Sequence, residues 1–134
     1  LRDIVPYGAE HSSMGESVAQ AAKHMGIAIG PDPIPEQVLF IRSDHYSFIQ
    51  QGIPALFIKS GFETGDQRDG GEINTAFRQE SYHTPFDDMS QAFDFGAGAD
   101  HARVNFLTGY VIAQEENRPT WNVGDFFGEL FAGS

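Results

Sequence analysis

The stretch Gln37-Val38-Leu39-Phe40-Ile41-Arg42, followed ten residues later by Ile53-Pro54-Ala55-Leu56-Phe57-Ile58-Lys59, sets the fold class of this 134-residue chain. The first run has the continuous apolar character of a strand buried on both faces, as in a parallel sheet covered by helices. Between the runs, Ser43 or Asp44 can cap a short helix that stops at Gly52. Strand, helix, strand in so short a span predicts an α/β layer.

Working outward, Asp3 to Tyr7 reads as a strand end or ordered lead-in closed by Gly8. Ser13-x-x-Glu16 has the form of a capping box for a helix running to about Met25, with Gly26 as its stop. The prolines of Gly30-Pro31-Asp32-Pro33-Ile34-Pro35 exclude both helix and central strand, so this is a loop within one domain. Ser60 to Glu72 holds five charged residues and four glycines, and loops of that length are usually functional or mobile. Ile73 to Ser81 can form a helical turn. From Asp94 to Gln114 the residues Ala99, Ala102, Phe106, Tyr110 and Ala113 recur every three or four positions, which predicts an amphipathic helix with that stripe on the sheet. The apolar tail from Trp121 to Phe131 must dock or drive association.

The net charge of −11 comes from 19 acidic and eight basic residues, and the basic ones are scattered. That pattern argues against a nucleic-acid partner. With no cysteine there is no disulfide, thiolate metal site or cysteine nucleophile. No apolar run approaches the roughly 20 residues of a membrane span. Neither a Gly-x-Ser-x-Gly elbow nor a phosphate-binding glycine loop occurs.

Two further segments concentrate chemistry. They are Arg42-Ser43-Asp44-His45-Tyr46-Ser47-Phe48 and Glu80-Ser81-Tyr82-His83-Thr84-Pro85-Phe86-Asp87-Asp88. In the second, a histidine precedes a proline-braked turn, a sensible way to offer one imidazole to a metal. A lone loop histidine is otherwise most simply explained by a hydrogen bond to a nearby carboxylate. In order with Gly52-Ile53-Pro54-Ala55-Leu56-Phe57, these motifs resemble the C-terminal half of the M28 family of co-catalytic zinc aminopeptidases, over about Tyr7 to Phe127.

The resemblance implies a partial three-layer α/β/α sandwich of the zinc-exopeptidase type and a peptide substrate. It makes His83 the last metal ligand and Tyr82 a donor to the developing oxyanion. Asp44 becomes an acidic residue orienting the site, and Arg42 a substrate contact or the partner of an acidic group. His45 reads as structural, and Asp87 and Asp88 as supports for His83 or caps of the following turn. The family's two-zinc site also needs a His-x-Asp pair, a Glu-Glu pair and a further aspartate. Residues His11, His24, His45, His83 and His101 are followed two positions on by Ser, Gly, Ser, Pro and Arg, so His-x-Asp is absent. The one Glu-Glu pair, Glu115-Glu116, lies beyond His83 and reads as a solvated helix end.

These gaps lead to the expectation that residues 1–134 are a C-terminal piece of the catalytic domain. Such a piece would be inactive alone, hold zinc weakly or not at all where the complete domain holds two ions, and associate as a homo-oligomer through an exposed strand edge or the Trp121–Phe131 tail. Family members are often exported, which suggests a periplasmic or secreted protein. The alternatives are a non-catalytic binding module of the same fold and a single-zinc acyltransferase of the glutaminyl cyclase kind.

Overall fold

A computed structural model describes residues 1–133. Its centre is β1 (Asp3–Tyr7), all five residues of which are buried. Helix α1 (Met14–Met25) returns the chain to β2 (Ala28–Ile29), which pairs parallel to β1 with Asp3 opposite Ala28. Strand β3 (Phe57–Ser60) lies on the other side of β1, antiparallel, with Ile4 opposite Ser60 and Tyr7 opposite Phe57. The sheet order is β2-β1-β3.

Proline is poorly tolerated inside a sheet because it cannot donate, yet Pro6 sits in the central strand. The Ile4 carbonyl accepts from Gly30 N–H at 2.9 Å on the β2 side. Alternation turns Pro6 to that same side, beyond the last residue of β2, where no ladder bond is required.

The period-two alternation of β1 feeds two cores. Ile4 joins Val18, Ala21, Ala22, Ile27, Ile58 and Val104 beneath α1 and α4 (Phe95–Gln114). Val5 and Tyr7 join Leu39, Phe40 and Ile49 on the opposite face. That second face is covered by short turns, α2 (Tyr46–Ile49) and the C-terminal tail rather than by a layer of long helices. The architecture is mixed α/β around a three-stranded sheet.

The expected strand at Gln37–Arg42 is not a strand. Pro35–Gln37 and Leu39–Ile41 are single 3-10 turns joined at Val38, whose φ of 49° is left-handed. Neighbours Leu39 and Phe40 are both buried while Val38 and Ile41 are exposed. An extended chain sends successive side chains to opposite faces and cannot do this. The parallel pair in the sheet is β1 with β2, and β3 runs antiparallel.

Helix α1 ends as expected, with Gly26 left-handed and its N–H reaching the carbonyls of Ala22 and Lys23. Its expected capping box does not form. Ser13 is already helical, and its hydroxyl accepts from Thr120 N–H at 3.1 Å. Thr120 immediately precedes the tail, and the tail docks. Ser12 bridges Trp121, the indole N–H donates to Gly52 O at 2.8 Å, and Phe127 and Phe131 pack on the second core.

Helix α4 is turned over relative to the expectation. Val104 and Thr108 face inward, while Ala99, Ala102, Phe106, Tyr110 and Ala113 are exposed. The helix is apolar on both sides, so spacing alone did not choose between them. Glu115, read as solvated, accepts from the buried Ser17 hydroxyl at 2.7 Å and ties the end of α4 to α1. No helix among the described residues is long and apolar enough to cross a membrane.

Candidate functional site

The turn bearing His83 is placed by α3 (Gly70–Glu80), a full helix where only a turn from Ile73 was expected. Asp69 starts it, accepting from the N–H groups of Gly71 at 2.8 Å and Glu72 at 3.0 Å. These are first-turn donors that the helix itself leaves unpaired. Within the preceding loop, Asp66 accepts from Arg68 N–H and from the Thr64 hydroxyl, and these bonds hold its carboxyl below the usual range.

Helix α3 ends where Ser81 and Tyr82 N–H both turn back to Phe77 O. Ser81 is buried, and its carbonyl accepts the Thr84 hydroxyl at 2.6 Å. His83 bridges this closure with φ of 60°. Non-glycine residues adopt that region infrequently, histidine more readily than most. The imidazole is exposed and stacks on Tyr82 with centroids 3.8 Å apart. The Arg78 guanidinium also lies 5.0 Å from the centroid of the Tyr82 ring. Arg78 and His83 thus both contact Tyr82 at the exit of α3.

Asp88 accepts from Ser90 N–H at 2.8 Å, and bonding to Ser90, by hydroxyl and N–H, lowers its pKa. It caps the next turn and does not support His83. Phe86 and Met89 point outward.

The upstream motif packs on the second core through Tyr46. His45 is structural, as expected. Its ring is bonded to Phe40 O and stacked on Phe57 with centroids 5.1 Å apart. Burial lowers its pKa, opposed by the Phe40 carbonyl and the Asp44 charge. Neither Ser43 nor Asp44 caps α2, whose first flanking residue is His45 with no side-chain cap. Asp44 is exposed. Among the described residues Arg42 finds no acidic partner, and it donates to Gln37 O at 3.2 Å. Among the described residues, no hydrogen bond, ion pair or ring contact joins residues 42–48 to residues 80–89.

Among the described residues no three of His, Cys, Asp and Glu cluster as ligands. A zinc needs about three protein ligands, so His83 with its surroundings does not fit a resident zinc by itself.

The model of peptidase family M28 matches residues 2–107, which include both motifs. The chain belongs to peptidase family M28. Its reaction class is accordingly peptide-bond hydrolysis, in a family generally dependent on zinc. Comparison with curated protein sequences and with solved structures gives no match.

What sequence reading missed in this M28 chain is a cleft of about 750 Å³ between β3, the 61–69 loop and α3. Phe62, Ile73 and Phe77 give it an apolar wall, and Arg2, Lys59 and Arg78 reach it from three separate segments, the residue before β1, β3 and α3. Nothing in the spacing of those three cations signals that they converge.

Proposed function

We propose that this M28 chain is the C-terminal part of a zinc exopeptidase catalytic domain, inactive by itself, whose His83 supplies one ligand to a two-zinc centre completed elsewhere. The observation that carries the reading is the family match across residues 2–107, with the His83 turn inside it. The exposure of the ring supports it, because an imidazole that serves as a ligand must be reachable. The ligand count supports the second half of the reading, since one histidine leaves a zinc about two protein donors short. Tyr82, beside His83, would donate to an oxygen bound near that ring, while Asp44 and Arg42 would have to act from outside the turn. The substrate is a peptide with a free amino terminus, and a periplasmic or secreted location accords with the family.

The test is the product of the complete coding sequence, purified and assayed for zinc and for aminoacyl-anilide hydrolysis, against its His83→Ala form. The reading expects hydrolysis abolished by a chelator, and a loss of about 100-fold or more on substitution, the upper end of what even supporting groups around a metal contribute. Chelator-resistant hydrolysis, or a His83→Ala protein as active as the parent, would overturn it. So would steady hydrolysis by the 134-residue chain alone with stoichiometric zinc.

A further inference from the structure

Four of the eight Lys and Arg side chains line the cleft between β3 and α3, in a chain whose net charge is −11. Arg68 is neutralised by Asp66 at 2.9 Å. The other three, Arg2, Lys59 and Arg78, have no carboxylate within ion-pairing distance among the described residues. The acids that line the cleft are Asp3, Glu63 and Asp94. Asp3 is buried and accepts from Glu63 N–H at 3.1 Å. Asp94 is taken up as the cap of α4, accepting from Ala97 N–H at 2.9 Å. Glu63 is exposed.

The charge that acts on partly buried Lys59 is that of Arg78, a second cation, and burial and this repulsion together lower the ammonium's pKa. Two like charges that line one cleft beside an apolar wall are stabilised by an anion between them. A guanidinium and an ammonium suit a carboxylate, the first as a fork and the second as a point charge. The volume suits a small ligand, which such clefts commonly enclose at about 300–1,000 Å³.

We propose that Lys59 and Arg78 form a carboxylate-binding site in this cleft, taking an acidic side chain or a C-terminal carboxylate of a peptide whose apolar part rests on Phe62, Ile73 and Phe77. The choice of a peptide rests on the peptidase reading, and the charge geometry does not. Because Arg78 also covers Tyr82, which stacks on His83, a carboxylate held there lies one side chain from the candidate ligand. The site would select acidic or short peptides for the reaction.

The test is calorimetric titration of the 134-residue chain with three probes. N-acetyl-Leu-Glu-amide carries a side-chain carboxylate, N-acetyl-Leu-Leu carries a terminal one, and N-acetyl-Leu-Leu-amide carries none. At least one charged probe is expected to bind about tenfold tighter than the neutral one, the effect of one charge-assisted hydrogen bond, and the tighter of the two identifies the source of the carboxylate. Lys59→Gln and Arg78→Gln should each remove that advantage, while Lys59→Arg keeps it and Arg103→Gln, on the exposed side of α4, leaves it unchanged. Without any variant, affinity for the charged probe must fall as salt is added while that for the amide does not. Equal binding of all three probes, salt-insensitive binding, or folded Gln variants that bind like the parent would each overturn the proposal. Carboxylate binding by a full-length protein that hydrolyses nothing overturns the zinc-peptidase reading alone. Zinc-dependent hydrolysis without carboxylate discrimination overturns this one alone.

Discussion

His11 shows how much a single residue can hold. Its Nδ1 lies 2.6 Å from Asp125 Oδ2, and its ring packs against Phe40 and Phe127. The other oxygen of Asp125 accepts from the N–H groups of Phe127 and Gly128. Asp125→Ala should therefore cost about 1–3 kcal/mol in urea unfolding, because it leaves buried donors unpaired. Tyr7 carries the pH dependence. Burial, the hydrogen bond to Asp32 and the charge of that carboxylate all raise its pKa. The folded state then keeps a proton that the unfolded chain loses above about pH 10. Stability from this group is whole below that pH and is lost as the pH rises past it. In alkaline titrations Tyr7→Phe should flatten the fall in stability, and an unchanged slope would refute this account. His45 acts at the other end, since its depressed pKa makes stability fall as pH drops below about 6.5.

Among the elements, α4 best separates pattern from packing. Its inward side is marked by Val104, fully buried, and by Thr108, whose hydroxyl bonds back to the Val104 carbonyl at 2.8 Å. Val104→Ala should lower stability by about 2 kcal/mol, the range for a truncated core side chain. Phe106→Ser should change it by no more than about 0.5 kcal/mol, since that ring is 69% exposed. Thermal melts of the two proteins decide the orientation of the helix, and a reversed order would show it packed the other way. The 39–41 turn teaches the same lesson at shorter range. Apolar content was legible there, but the prolines before it and the left-handed Val38 made the run a turn. In α3 the cap was legible only in retrospect, since Asp69 stands among other acids that cap nothing.

For the molecule as a whole, Trp121, Phe127 and Phe131 of the tail are seated on the second core, while an exposed aromatic pair lies on the outer side of α4. Phe106 and Tyr110 stack there with centroids 6.2 Å apart. We propose this face as a further surface, beside a strand edge and the tail, for the expected association. Light scattering over a concentration series should show larger species for the parent chain than for a Phe106→Ser, Tyr110→Ser variant, and identical curves would exclude the face. Local sequence by itself determined α1 and its glycine stop, the existence of α4, the presence of β3, the structural role of His45 and the three ordered motifs of the M28 family. These follow from propensity, from spacing along one chain and from residue chemistry. The tertiary structure alone decided that β1 is central, which side of α4 is buried, that Ser13 serves Thr120 instead of its own helix, and that Lys59 and Arg78 face one cleft. Each of those depends on which distant segment supplies the neighbouring surface, and hydrogen bonds and buried area are shared between segments that sequence spacing does not relate.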